Sequence, residues 1–241
     1  TIIFIASCAT GISFKGLKSP ISGTRQLVTV TTAHDSSTVA VLTAYDHTSS
    51  GWKATFSVPA VIGRTGLAWG RGLHDNADRD PELPQKHEGD GKSPAGAFAI
   101  LNAMGVPPRD SVGTRLVYTR ITGELVCIDD ARSPHYNLVM DRGKVLSGGT
   151  LPSHEDMLRA DILYRYVVRI GHNTDRPVMG AGSCIFLHVW PGIGSHTAGC
   201  TAVSEESMVR FLAWADPSKH PVIVQLTEKD YGRLKEKWRL P

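Results

Sequence analysis

The chain has 241 residues, 41% hydrophobic and 20% charged, with a formal net charge of +3. That length accommodates one large domain or two small ones with a substantial core, and the composition excludes disordered and fibrous classes. The mild positive charge suits an anionic polymer and equally suits proteins that bind nothing acidic. No lysine/arginine run points to nucleic acid, and no stretch is long and apolar enough for a transmembrane helix.

The first 24 residues form an N-terminal segment with two readings. Thr1 to Cys8 is either the tail of a signal peptide, with Ile5-Ala6-Ser7-Cys8 as a lipoprotein-type cleavage box, or a short β-strand. Residues 25–32 alternate and are β-branched, which predicts a strand, and residues 39–45 and 51–58 predict two more, joined by a turn over 46–51. A glycine-punctuated stretch follows at 63–72, then a polar surface loop over 75–91. Short strands are predicted at 97–101, 116–118 and 124–128. Residues 156–164 predict a helix with Ser153 as N-cap. Two apolar runs, 166–170 and 184–189, predict central strands. Ser204 caps a helix to about residue 215, with Met208, Phe211, Leu212 and Ala215 as its apolar stripe; Asp216-Pro217 ends it. Residues 222–226 are the last strand, and the basic stretch 235–239 reads as a solvated helix face or tail. With no repeat and no linker, residues 25–241 form a single mostly-β domain with a few peripheral helices.

None of the four cysteines, Cys8, Cys127, Cys184 and Cys200, forms a CxxC pair, which excludes zinc-ribbon and thioredoxin-type sites. Cys127 and Cys184 are either a disulfide or two separate buried thiols. His74, His87 and His154 lack metal-ligand spacing, and the acidic run Asp75, Asp78, Asp80, Glu82 lacks the glycine and glutamate of an EF-hand. Neither a metal nor a cofactor is expected.

Chemistry concentrates between Gly182 and Ser204. His188 ends an apolar strand, a loop with Pro191, Gly192 and Gly194 follows, and Gly199-Cys200 precedes the capped helix. A cysteine acts as a nucleophile only as thiolate, which a neighbouring histidine can produce. Gly199 lets the backbone approach a substrate, and the N–H groups of Gly199 and Cys200 are candidates for an oxyanion hole.

Four ordered blocks carry a resemblance. His188 followed by Thr197-Ala198-Gly199-Cys200 resembles the signature of YkuD-type L,D-transpeptidases. The segment Glu88-Gly89-Asp90-Gly91-Lys92-Ser93-Pro94-Ala95-Gly96-Ala97-Phe98 is similar to the glycine- and proline-containing block of that family. Asp129-Asp130 with Ser133-Pro134 and Tyr136-Asn137, and Gly182-Ser183-Cys184-Ile185-Phe186-Leu187-His188, resemble one of its subgroups. Ala198 and Ala202 stand where the most familiar members have His and Arg.

The resemblance implies an L,D-transpeptidase-like β-sandwich or barrel, found outside the cytoplasm in periplasm or cell wall and lipid-anchored if Cys8 is a lipobox cysteine. It implies Cys200 as nucleophile, His188 as general base and acid, and peptidoglycan stem peptides as partners. Thr197, Ser195 and His196 become candidate substrate contacts. Arg64, Trp69 and Arg71 either line the donor cleft or serve the fold. Tyr136 and Asn137, with the Asp pair, either cradle the substrate or form turns, and His172-Asn173 reads as structural. Transfer to an amine makes a transpeptidase and transfer to water an L,D-carboxypeptidase; a fold-retaining binding protein without turnover is a third reading.

Overall fold

The structure is a computed structural model that describes residues 19–146 and 150–241. The signal or strand at Thr1 to Cys8 lies outside the described residues. In chain order the elements are β1 (Gln26–Thr32), β2 (Val39–Thr48), β3 (Gly51–Val61), β4 (Leu67–Trp69), β5 (Ser93–Gly105), β6 (Tyr118–Arg120), β7 (Leu125–Ile128), β8 (Val139–Asp141), β9 (His154–Asp156), β10 (Tyr166–Ile170), β11 (Phe186–Val189), β12 (Thr201–Val203), α1 (Glu205–Trp214), β13 (Val222–Thr227) and α2 (Glu228–Trp238).

Eight strands run in the order β10-β11-β12-β3-β2-β1-β13-β5, and β5 pairs back with β10, so the sheet closes into a barrel. Closure leaves these strands no free edge within the ring. The fold is mostly β, with two α-helices among the described residues. A separate three-stranded sheet, β8-β7-β9, packs outside.

The wall that matters is β10-β11-β12. Ile185, Leu187 and Val189 belong to the barrel core, with Val168, Ile170 and Val203. Cys184 and Phe186 alternate to the opposite face and join Val167, Cys200, Cys127 and Met157 in a second cluster. The period of two is that of a strand. The outer sheet supplies Cys127 and Ile121 lies nearby, so β11 is buried on both faces and reads as a continuous apolar run. A Cys127–Cys184 disulfide ties β7 to the entry of β11, resolving the two readings of that pair.

Several expectations need correction. The hairpin turn over 46–51 is shorter: β2 and β3 pair down to Thr48↔Gly51, because Asp46 and His47 continue the ladder opposite Lys53 and Trp52. The helix over 156–164 is absent. Residues 154–156 pair with β7, so Ser153 caps no helix. Leu158 and Ile162 are exposed, and Asp161 Oδ1 accepts the Leu163 N–H at 3.0 Å, a local bond that competes with helical pairing. Of the two readings of residues 235–239 the helix face holds, with Lys235, Glu236 and Arg239 exposed at the end of α2, but Trp238 among them is buried with Leu234 against the barrel core. The loop over 75–91 is irregular but not wholly superficial, since Asp78, Leu83 and Lys86 are buried. Helix α1 forms as expected, with Ser204 Oγ accepting the Ser207 N–H at 3.2 Å and Met208, Phe211 and Leu212 buried.

Candidate active site

In the parallel pair β11–β12, His188 lies opposite Ala202. Cys200 precedes Ala202 by two positions, so strand periodicity puts Cys200 and His188 on one face. That face is the outer one, between the barrel and the small sheet. The Cys200 Sγ accepts the Phe186 N–H at 3.3 Å, and its thiol faces the Cys184 carbonyl at 3.5 Å. His188 Nδ1 lies 2.7 Å from the Val189 carbonyl. A carbonyl can only accept, so Nδ1 carries the proton and Nε2 is left as the basic nitrogen.

Both groups rest neutral. Burial pushes the Cys200 thiol up to about 12, the Glu155 charge adding to it, while the Phe186 N–H and the Lys86 ammonium pull the other way. Burial takes His188 down to about 4, opposed by the Val189 carbonyl. No hydrogen bond joins the two side chains among the described residues. The resting pair is therefore thiol and imidazole, not thiolate and imidazolium.

The loop carrying Cys200 is clamped through its carbonyl. Thr197 Oγ1 donates to the Cys200 carbonyl at 2.6 Å and Ser93 Oγ donates to it at 2.7 Å. Thr197 Oγ1 also accepts the Gly199 N–H at 3.1 Å. This corrects the expected role of Gly199: its N–H is committed to Thr197 and does not point to a substrate oxygen in this state. The Cys200 N–H makes no hydrogen bond within the described residues and is the available donor. Gly199 is needed for a different reason, because a Cβ there would sit 3.1 Å from the Lys92 carbonyl oxygen.

Cys200, His188, Gly199, Thr197, Ser195, His196 and Arg64 all line one cleft of about 490 Å³. Arg64 and His196 are exposed at its rim, and the Arg64 N–H donates to the Thr197 carbonyl at 2.9 Å. Arg71, Trp69, Tyr136 and Asn137 do not line it. Trp69 is fully buried in the core, its ring against His74 and Trp238. Tyr136 is buried and its hydroxyl donates to Glu88, which does line the cleft. Asn137 is buried too, with φ 62°. Its Oδ1 accepts the Cys184 N–H at 3.0 Å, and its Nδ2 donates to the carbonyls of His172 and Asn173. Tyr136 and Asn137 thus act on the cleft through Glu88 and Cys184, because their turn packs beneath its wall. His172 is structural as expected: burial takes it down to about 3, and its ring bridges the Arg71 N–H and the Ala181 carbonyl.

Sequence reasoning missed four cleft residues. Lys86 is buried and pairs with Asp90 at 2.5 Å. Glu155 accepts the Tyr164 hydroxyl at 2.5 Å, burial pushing its carboxyl up. Arg159 lies 3.9 Å from Glu155 and 5.2 Å over the Tyr164 ring. Lys86 and Asp90 flank or belong to a block already noted, so their neighbourhood was visible. Glu155, Arg159 and Tyr164 fell within or beside the expected helix, which hid them. Asp129 also lines the cleft, with Oδ1 buried and without a hydrogen-bond partner, whereas Asp130 is tied to Arg132 in a surface turn.

No helix among the described residues is long and apolar enough to cross a membrane. No family model and no curated protein matches the chain. Among solved structures the chain is similar to the Bd1075 protein of Bdellovibrio bacteriovorus, with a TM-score of 0.42 and 10% identity over 90% of this chain and 55% of that one. The chain spans little more than half the length of that protein.

Proposed function

We propose that this chain is a cysteine acyltransferase of the L,D-transpeptidase type, acting on peptidoglycan stem peptides. The observation that carries the reading is the placement of Cys200, a buried free thiol, and His188 on one face of adjacent parallel strands at a cleft. The four sequence blocks add to it. The disulfide supports an extracytoplasmic location, where such bonds persist.

In this reading a stem tetrapeptide enters with the carbonyl of its third, diamino-acid residue over Cys200. Because the resting pair is neutral, the proton leaves sulfur for His188 Nε2 as the C–S bond forms. The carbonyl electrons move onto oxygen, which the Cys200 N–H holds. Collapse breaks the C–N bond to the terminal D-alanine, whose nitrogen takes the proton from His188. The resulting thioester is resolved by an amine of a neighbouring stem, giving a cross-link, or by water, giving a carboxypeptidase.

Three features of the pair favour a second reading. The high Cys200 pKa, the low His188 pKa and the missing bond between them also suit a cell-wall-binding protein without turnover. Intact-mass spectrometry after incubation with a disaccharide-tetrapeptide, and separately with a carbapenem, distinguishes the two. The expected result is a covalent adduct on the wild type, loss of D-alanine from the peptide, and no adduct on Cys200→Ala. An unmodified wild type with Cys200 reduced overturns the acyltransferase reading.

A further inference from the structure

Tyr164 lies between β9 and β10 and is buried. Its ring packs edge-on against His188, with centroids 5.2 Å apart, and against Phe186 at 5.7 Å. Phe186 is the residue whose N–H donates to the Cys200 sulfur. The Tyr164 hydroxyl rests on the Glu155 carboxylate at 2.5 Å, and the Cys200 sulfur, in the same buried cluster and on the same cleft, is a second acceptor to which it makes no hydrogen bond in this state. A single O–H has one proton to donate, so the two acceptors compete for it.

We propose that Tyr164 donates its hydroxyl hydrogen bond to the Cys200 sulfur when that thiol loses its proton, leaving Glu155 as it does so. The inference rests on the reading of Cys200 as the nucleophile. Only a hydrogen bond is exchanged. The thiol proton goes to His188 and the phenol keeps its own, since burial holds the Tyr164 pKa far above its ordinary value. Glu155 is not left bare, because Arg159 stands 3.9 Å from its carboxylate and over the Tyr164 ring. The titratable groups around the sulfur are then Glu155 from β9, Lys86 from the loop before β5, Tyr164 itself, and His188 on β11. Glu155 is a positioning residue: it holds the hydroxyl ready, and its charge opposes the thiolate before and after the exchange.

The test is the rate of iodoacetamide alkylation at Cys200 in the disulfide-intact chain, read by peptide mapping from neutral to alkaline pH. Tyr164→Phe keeps the ring and removes the donor. Alkylation at fixed pH is expected to fall about tenfold to a hundredfold, and the profile to move to higher pH, as for loss of one hydrogen bond to an anion. Glu155→Gln is expected to raise the rate, but loss of its charge alone does that, so the fall for Tyr164→Phe carries the test. A Tyr164→Phe profile superimposable on the wild type overturns the proposal. If Tyr164→Phe does not fold, 3-fluorotyrosine at position 164 decides: its more acidic phenol is the stronger donor, so the rate should rise, and an unchanged or lower rate overturns the proposal. Alkylation needs no stem peptide, so the two readings fail separately. A slowed Tyr164→Phe beside a wild type inert to tetrapeptide sinks the transpeptidase reading alone.

Discussion

The Ser93 hydroxyl bridges the Gly63 N–H, at 2.9 Å, and the Cys200 carbonyl, at 2.7 Å. One buried side chain at the start of β5 thereby joins the end of β3 to the loop that bears the candidate nucleophile. Ser93→Ala leaves the Gly63 N–H without its acceptor and Cys200 with Thr197 alone. The expected cost is about 1–3 kcal/mol of folding stability. Urea unfolding at neutral pH measures it, and an unchanged midpoint would contradict this account of the clamp.

The Cys127–Cys184 disulfide closes a loop across 57 positions and holds the segment whose carbonyl faces the Cys200 thiol. Replacing both cysteines by serine is expected to cost about 2–4 kcal/mol. It should also slow acylation of Cys200, because the backbone of residue 184 then keeps Asn137 as its tie away from the Cys200 thiol. Non-reducing peptide mapping should recover a linked peptide containing both residues in the wild type.

Two buried histidines set the acid limit of the fold. His188 and His172 have folded-state pKa values of about 4 and about 3, both lowered from 6.5 by burial. Below pH 6.5 the unfolded chain therefore binds more protons than the native one. Stability is fully present above pH 6.5 and declines as pH falls from there toward 4. Each histidine adds up to about 1.4 kcal/mol per pH unit. Between pH 6.5 and 5 most carboxylates stay ionised, so the histidines dominate the slope. Urea titrations at pH 7.5, 6 and 5 should give progressively lower midpoints over the last interval, and a flat series would refute the assignment.

Asp78 anchors the C-terminal helix. Its buried carboxylate accepts the Trp238 Nε1–H at 2.9 Å and pairs with Lys237. Asp78→Asn removes the charge and turns one acceptor into a donor facing these donors. A loss of about 3–5 kcal/mol is expected, as for a buried pair missing one partner. Denaturation measures it, and red-shifted tryptophan emission would report release of Trp238.

Local pattern carried much of the barrel. Alternation at 25–32 and 39–45, the apolar runs of β10 and β11, and the cap of α1 were legible because each depends on neighbours two to four positions away. The outer layer was not. β9 owes its strand geometry to pairing with β7, nearly 30 residues upstream, and nothing within residues 154–164 announces that partner. The same holds for α2, whose charged sequence concealed a tryptophan held by Asp78 on a distant loop.

The sequence by itself determined which residue types face the cleft on the Cys200 side, since His188, Thr197, Gly199 and Cys200 lie within thirteen positions on one strand-loop-strand unit. Only the tertiary structure decided what surrounds them. It sent Trp69 to the core, committed the Gly199 N–H to Thr197, and brought Glu155, Tyr164 and Lys86 to the cleft wall. The physical reason is that burial and hydrogen-bond partnership depend on what packs across from a residue. Closing the barrel and laying a second sheet over β11 buried Cys200 and His188, and that burial holds the thiol and imidazole neutral.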